Sequence, residues 1–208
     1  MAVTSPEQAR APMPSLARLD VDQYHSMLEA GILGEGDPIE LLDGLLVHKD
    51  RSARGENPMT IGKRHRAAVD LLAGLDALVK PHGCYVMKQG PVTFPPSHEP
   101  EPDGLVVRGQ TRDYLERHPG PADVFCVIEV ADSSLDHDRT NKLQIYAAAA
   151  IPQYVIVNLV DLQVEVFESP VPAEGKYSQV RALQAGAALP LHVGGGKRVD
   201  VPVRDLLP

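Results

Sequence analysis

Apolar residues are concentrated in a few short runs along the chain, and the longest run predicts a buried strand. It has the sequence Val-Phe-Cys-Val-Ile-Glu-Val-Ala over Val124–Ala131, with a single charged residue, Glu129. An uninterrupted apolar run of this length is typical of a central strand that is covered on both faces. A carboxylate inside such a strand is costly unless a cation or hydrogen bonds compensate its charge. Glu129 is therefore the first candidate for a functional residue.

Local patterns predict a short helix and a hairpin in the first fifty residues. Asp20 and Gln23 have the spacing of a capping box, so a helix is expected to begin there and to end near Gly31. Two apolar runs flank Asp43-Gly44 within Ile39–His48, which is the sequence of a type I′ hairpin. Both elements precede the apolar strand that contains the candidate acid.

The remaining elements follow from the spacing of apolar residues and from turn residues. Thr60 is a possible N-cap and Pro81 a stop for one long helix, and Gly194-Gly195-Gly196 predicts a turn. Helices are predicted at Ile61–Lys80, Arg112–Arg117 and Asp138–Ala150, and strands at Cys84–Thr93, Gly104–Arg108, Tyr154–Asn158 and Gln163–Glu168, with two or three weaker strands in the tail. This order predicts an α/β or α+β fold with a mixed central sheet flanked by helices.

Length and composition indicate an ordinary globular protein. The 208 residues are 43% hydrophobic and 23% charged, so we expect one domain over residues 16–208, preceded by a disordered Ala/Pro-rich tail over residues 1–15. No signal peptide or apolar run near 20 residues is present, so no membrane span is expected. Cys84 and Cys126 lie in predicted strands without metal-like spacing, which indicates reduced core cysteines in a cytoplasmic protein.

Charge and aromatic content narrow the possible functions. The net charge of −8 argues against nonspecific DNA binding over the whole surface. The segment His48–Arg66 nevertheless contains six Lys or Arg and two Asp or Glu, so it is either a solvated loop or a patch that faces phosphates. Tryptophan is absent and only nine residues are Tyr or Phe. This scarcity argues against a stacking platform for single strands and against a metal-free glycosidase with paired carboxylates.

Two acids and a lysine follow each other in an order that suggests metal-dependent phosphodiester hydrolysis. Asp103 follows Pro102 at the start of the strand Gly104–Arg108, and Glu129 lies near the end of the next predicted strand. Carboxylates from neighbouring strands can converge on one hard divalent cation, which would polarise a phosphate and activate water. Lys142 on the following helix could hold the attacking water or neutralise developing charge.

Several short motifs occur in an order that is more informative than any one of them. They are Glu40-Leu41-Leu42-Asp43-Gly44, Met59-Thr60-Ile61-Gly62-x-x-His65, Glu129-Val130-Ala131-Asp132-Ser133-Ser134, Asp138-x-x-x-Lys142-x-x-x-Tyr146-Ala147, and Ile151-Pro152-Gln153-Tyr154-Val155-Ile156-Val157. This ordered set, over roughly residues 20–170, resembles the Uma-type family of restriction endonucleases, which belongs to the PD-(D/E)XK nuclease superfamily.

The resemblance implies a restriction-endonuclease-like core and a Mg²⁺- or Mn²⁺-dependent endonuclease that hydrolyses DNA. It implies that Asp103 and Glu129 are metal ligands, that Lys142 is the catalytic lysine and that Glu40 is a further acidic residue of the site. The usual superfamily motif places the lysine two residues after the glutamate, where this chain has Ala131. The resemblance therefore implies that the lysine has moved to the helix.

The resemblance also bears on substrate binding and assembly. We expect His65, Arg64 and Lys63, at the start of the long helix, to contact DNA phosphates. A homodimer is a family-level expectation, because cleavage of both strands requires two active centres or two visits. The alternative function is a nucleic-acid-binding or assembly module that kept the fold and lost catalysis. Ala131 and the acidic net charge motivate that alternative.

The candidate residues also have structural alternatives. Lys142 could pair with Asp138, four residues earlier, on a solvated helix face. Glu40 could be an exposed hairpin residue, and His65 a core histidine on the apolar side of its helix. Tyr146 could pack at the edge of the site without a chemical role. The run Asp136-His137-Asp138 could mimic metal ligands, although no second cluster matches it.

Overall fold

A computed structural model of the protein describes residues 16–34, 36–52, 55, 57 and 61–208. The predicted tail over residues 1–15 lies outside the described residues, as do Met59, the predicted N-cap Thr60, and Arg54 and Glu56 of the basic segment. The helices are α1 Val21–Glu29, α2 Lys63–Leu71, α3 Asp76–Val79, α4 Leu135–His137 and α5 Leu143–Ala148. The strands are β1 Ile39–Leu42, β2 Leu45–His48, β3 Cys84–Lys88, β4 Gly104–Arg108, β5 Val124–Ala131, β6 Gln153–Asn158, β7 Gln163–Val171, β8 Lys176–Leu183, β9 Ala188–His192 and β10 Arg198–Pro202.

A six-stranded mixed sheet in the order β3-β4-β5-β6-β7-β8 is the centre of the described structure. Strands β5 and β6 are parallel, and the other neighbours are antiparallel. The helical segment from α4 to α5 connects the parallel pair, as the strand–helix–strand pattern predicts. Strands β4 and β5 have the predicted bounds. The α/β (α+β) class with a mixed central sheet flanked by helices is therefore confirmed.

Each face of the sheet has its own hydrophobic core. On one face, α2 and the turns after it pack against β4 and β5, with the hairpin of β9 and β10 completing this core. On the other face, Tyr146 and Ala147 of α5 cover Leu105, Val127 and Ala131. Strand β5 is buried on both faces, which confirms the interpretation of its continuous apolar run.

The hairpin of β1 and β2 docks beside the start of β4. Asp43 and Gly44 both have positive φ, 51° and 71°, which confirms the type I′ turn. Leu41 and Glu99 exchange backbone hydrogen bonds of 3.3 and 2.8 Å. Strand β1 is therefore held against residues 95–102, the proline-rich connection before β4. This docking brings Glu40 to the sheet.

The prediction of one continuous helix over Ile61–Lys80 is wrong. After α2, the chain forms a 3₁₀ turn over Leu72–Leu75, then the short α3 and a second 3₁₀ turn over Lys80–His82. Gly74 lies in the first 3₁₀ turn, where the lack of a side chain weakens an α-helix. The helix begins after Gly62, which is its N-cap.

Several further elements differ in extent or type from the sequence-based predictions, including β7, which extends beyond the predicted end at Glu168 to Val171. The strand predicted at Cys84–Thr93 ends at Lys88, because Gln89 has a φ of 48° and cannot continue the extended backbone. The helix predicted at Arg112–Arg117 is a 3₁₀ turn over Thr111–Tyr114. Asp20 and Gln23 form the predicted capping box.

Two other expectations concern the membrane and the cysteines. Among the described residues, no helix combines the length and the apolar composition needed to cross a bilayer. Both cysteines are free and buried, as predicted.

Gly44 provides a test of the docked hairpin. A Cβ on Gly44 would lie 2.6 Å from the Cβ of Arg18 and 2.8 Å from the Leu19 carbonyl oxygen, whereas a Cβ on Gly31, also at positive φ, would meet nothing within 4 Å. We expect Gly31→Ala to lower the free energy of unfolding by about 1 kcal/mol through backbone strain alone. Gly44→Ala should cost about 2–3 kcal/mol, because steric overlap adds to that strain. Urea unfolding measures both, and equal losses would contradict the close packing at Gly44.

Candidate active site

The register of β4 and β5 brings the two predicted metal-binding acids to one point. Gly104 pairs with Ile128 in this antiparallel ladder, so Asp103 and Glu129 lie opposite each other one residue beyond that pair. The backbone N–H of Val130 donates to Asp103 Oδ2 over 3.0 Å. Both acids are only 2% exposed. They project from the face that α5 covers, since side chains alternate along a strand.

Lys142 reaches the same point from the helical segment. It is the last residue of a π turn, Asp138–Lys142, which separates α4 from α5. The prediction of an uninterrupted helix over Asp138–Ala150 is therefore wrong. Its Nζ lies 3.0 Å from Glu129 Oε1 and 3.2 Å from Glu40 Oε1. Because Lys142 is only 4% exposed, the alternative of a solvated pair with Asp138 is wrong.

Tyr146 supports the same carboxylate. Its hydroxyl donates to Glu129 Oε1 over 2.7 Å, so Lys142 and Tyr146 contact the same carboxylate oxygen. The Tyr146 ring is fully buried. Its centroid lies 6.1 Å from the ring centroid of Phe94 and 5.0 Å from that of Tyr154. The tyrosine therefore packs in the core and also orients the acid.

Glu40, on β1, belongs to the same cluster of buried charged side chains as Asp103, Glu129 and Lys142. Its Oε2 accepts the backbone N–H of Glu101 over 3.0 Å, while Oε1 faces Lys142. Glu40 is buried, so the alternative of an exposed hairpin residue is wrong. Glu101 in turn binds Lys49 at 3.1 Å and Arg51 at 3.2 Å. These two cations of the basic segment are thus paired with a partly buried acid.

The three predicted DNA-contacting residues occupy different environments. His65 is buried, with its Nε2 3.3 Å from Asp103 Oδ1, although neither atom makes a hydrogen bond within the described part of the chain. Arg64 donates to the Leu159 carbonyl at 2.9 Å, just beyond β6. Lys63 is exposed. The structure therefore brings His65 to the cluster and leaves Arg64 and Lys63 at the surface.

Negative charge exceeds positive charge around Lys142. Burial raises the pKa of the Glu129 carboxyl, and the charges of Asp103 and Glu40 add to this effect although Lys142 opposes it. Burial acts against the Lys142 ammonium, but the charges of Glu129 and Glu40 outweigh it and hold the pKa of the lysine well above its usual value. The lysine is therefore positively charged at neutral pH.

Asp103 behaves differently from Glu129. Burial acts to raise the pKa of its carboxyl, but contact with His65, the charge of Lys49 and the Val130 N–H hold that pKa below its usual range. Asp103 is therefore ionised at neutral pH. Lys49 was missed by the sequence analysis, because only the docking of the hairpin places it near the acids.

Asp138 is a further buried acid, which the sequence analysis treated as a structural residue of the helix. It accepts a hydrogen bond of 2.7 Å from Ser134 Oγ. Burial, followed by the charge of Glu129, raises the pKa of its carboxyl well above the usual value. Asp136 is exposed, so the run Asp136-His137-Asp138 does not converge on one point.

The donor set fits a hard divalent cation. Asp103 Oδ1 is buried and accepts no hydrogen bond from the described residues, and Glu129 lies directly across the ladder from it. Carboxylate oxygens are the ligands that Mg²⁺ and Mn²⁺ prefer. A cation between these acids would also offset the excess of negative charge that raises the pKa of Glu129.

The fold is similar to that of a solved structure, and the family follows from the sequence. A crystal structure of "a putative nuclease belonging to DUF820" from Anabaena variabilis superimposes with a TM-score of 0.64 at 15% identity, over 90% of this chain and 97% of that one. The Uma2 family model, described as "Putative restriction endonuclease", matches residues 21–199. The chain belongs to this family, which confirms the resemblance of its motifs. No curated protein matches the chain.

The buried carboxyl of Asp138 predicts a pH effect on stability. Between the usual aspartate pKa of about 4 and the raised value, the folded protein retains a proton that the unfolded chain has lost. The free energy of unfolding therefore decreases as the pH rises through this window. We expect Asp138→Asn to gain stability relative to the wild type on going from about pH 4.5 to pH 8.

Urea unfolding in EDTA at the two pH values measures this change. Asp136→Asn, at an exposed position in the same segment, is the control. Its free energy of unfolding should differ from that of the wild type by the same amount at both pH values. Asp138→Asn behaving like this control would contradict the proposed burial cost.

Proposed function

We propose that the chain is a divalent-metal-dependent endonuclease that hydrolyses DNA phosphodiester bonds. The observation that carries this proposal is the 3.0 Å contact between Lys142 Nζ and Glu129 Oε1. Ala131 stands where the usual superfamily motif has its lysine. A lysine that comes from the helix and contacts the glutamate can take over that role, because its long side chain reaches one point from different backbone positions.

Each residue of the cluster has a proposed role. Asp103 and Glu129 hold Mg²⁺ or Mn²⁺, which polarises the phosphate and supplies activated water when bound. Lys142 stabilises the negative charge that develops on the phosphate oxygens. Glu40 positions the Lys142 ammonium, and Tyr146 positions the Glu129 carboxylate through the 2.7 Å hydrogen bond.

Substrate contacts are proposed at the start of α2. Lys63 and Arg64 are exposed beside the buried His65, so they are available to the DNA backbone while His65 supports Asp103. The acids and the lysine of the cluster are themselves buried.

Assembly and location are part of the same proposal. Residues 16–208 would act as one nuclease domain. A homodimer would supply two active centres for cleavage of both strands. Two free, buried cysteines fit a protein of the reducing cytoplasm.

Plasmid nicking tests the proposal. Wild-type protein with Mg²⁺ or Mn²⁺ should convert supercoiled plasmid to the nicked form, and EDTA should stop the reaction. Glu129→Gln keeps the shape and the acceptor oxygen of the side chain but removes the charge that holds the cation. We expect its cleavage rate to fall by at least about a hundredfold, in the range found when a group that stabilises the transition state is removed. The exposed Glu116→Gln is the matched control and should cleave like the wild type.

Two results would contradict the proposal. One is equal background cleavage by the wild type and Glu129→Gln. The other is retention of DNA by the wild type without turnover and without binding of Mn²⁺ in calorimetry. The second result would support the alternative, a DNA-binding or assembly module that has lost catalysis.

Lys142→Met separates the role of the lysine from that of the metal ligands. We expect cleavage to fall by about 10²–10³-fold, because the charge that stabilises the reacting phosphate is lost. Mn²⁺ affinity should be unchanged or higher, since a competing cation is removed from Glu129. Calorimetry and nicking measure the two effects, and Lys142→Arg, which keeps the charge, controls for folding. A loss of Mn²⁺ binding in Lys142→Met would refute the separate role.

A further inference from the structure

A second group of ligand-type side chains lies apart from the cluster around Lys142. His25 of α1, Glu99 of the proline-rich connection and His118 of the loop before β5 each offer one ligand atom, and these atoms lie within 4.8 Å of one another. His25 Nε2 is 2.8 and 2.9 Å from the two oxygens of Glu99, and His118 Nε2 is 4.0 Å from Glu99 Oε1. Segments that are distant in sequence therefore converge on one buried carboxylate.

The carboxylate is held in a fixed orientation. Thr93 Oγ1 donates to Glu99 Oε2 over 2.7 Å, which leaves Oε1 directed towards the two imidazoles. Glu99 itself is only 3% exposed. A polar group that anchors one oxygen of a ligating carboxylate is a regular feature of metal sites, because it fixes the ligand before the ion binds.

The spacing of the ligand atoms fits a tetrahedral zinc ion. Zinc bonds to imidazole nitrogen and carboxylate oxygen are close to 2.1 Å, so neighbouring ligand atoms are expected about 3.3–3.4 Å apart. The separations of 2.8 and 4.0 Å from Glu99 lie on either side of that value, and the two imidazole nitrogens lie within 4.8 Å of each other, so side-chain shifts on the order of 1 Å would produce the geometry. Two imidazoles favour zinc over magnesium, which prefers oxygen ligands.

The surroundings provide an entry path and an open position. His25, Thr93 and His118 line a surface cleft of about 960 Å³. His25 and His118 are partly exposed to this cleft, whereas Glu99 is buried. Three protein ligands leave the fourth position of a tetrahedral ion free, and the partial exposure of both histidines gives water access to the site.

We propose that His25, Glu99 and His118 form a zinc-binding site with a water-accessible fourth position. The site is separate from the Mg²⁺ or Mn²⁺ centre proposed at Asp103 and Glu129, and it does not depend on the nuclease activity. Zinc here would join α1 to the connection before β4 and to the loop before β5.

Calorimetric titration of the chelator-treated protein with Zn²⁺ tests the proposal. His118→Ala removes one ligand from an exposed loop and leaves the pair of His25 and Glu99 intact. We expect its zinc affinity at this site to fall by at least about tenfold, a loss typical of a disturbed metal site. His82→Ala, an exposed histidine outside the site, is the matched control and should bind zinc like the wild type. Glu129→Gln should also retain this binding event, which distinguishes it from zinc at the nuclease centre.

Two further readouts make the result independent of folding. Zinc should raise the melting temperature of the wild type and of His82→Ala, but not that of His118→Ala. Co²⁺ should give the strong visible absorption of a tetrahedral site when bound to the wild type or to His82→Ala. His118→Ala should not show this absorption. The proposal is overturned if the wild type binds no zinc, or if His118→Ala binds zinc as tightly as His82→Ala.

Discussion

The ammonium group of Lys142, held between Glu40 and Glu129, connects three parts of the molecule that are distant in sequence. Glu40 comes from a hairpin, Glu129 from the central strand and Lys142 from a helical turn. Each charge would be costly alone in the interior, and the contacts within the group offset that cost. Because the acids outnumber the lysine, the group carries an excess of negative charge, which contributes to the raised pKa of Glu129. The proposed metal ion would offset this excess, which links the stability of the interior to the proposed chemistry.

The proline-rich connection before β4 shows how short a segment can supply several of these contacts. Glu99, Glu101 and Asp103 alternate with Pro100 and Pro102. Proline fixes φ and favours extended backbone in the residue before it, so the acids are presented on a stiff segment. Each finds a different basic partner: Glu99 contacts His25, Glu101 contacts Lys49 and Arg51, and Asp103 contacts His65. One extended stretch thus contributes residues to both proposed sites.

The sequence predicted those parts of the structure that depend on local patterns. Strand β5 and the Asp43-Gly44 turn were recognisable because an apolar run and a turn dipeptide act over a few residues. The opposition of Asp103 and Glu129 also followed from strand order. The burial of Glu40 and the commitment of Lys49 to Glu101 were not predictable, since both depend on how the hairpin docks. The break after α2 was missed because periodicity alone does not register a 3₁₀ turn.

The π turn at Asp138–Lys142 has a consequence for how such chains can diverge. A π turn contains one residue more than the α-helical turn it replaces. Deleting any one residue there would restore a regular helix and rotate what precedes it relative to Lys142 and Tyr146 by about 100°. Substitutions on the exposed side of this helix leave the two side chains aimed at Glu129, whereas a change in its length does not. In this helix, evolution is expected to conserve the number of residues more strictly than their identity.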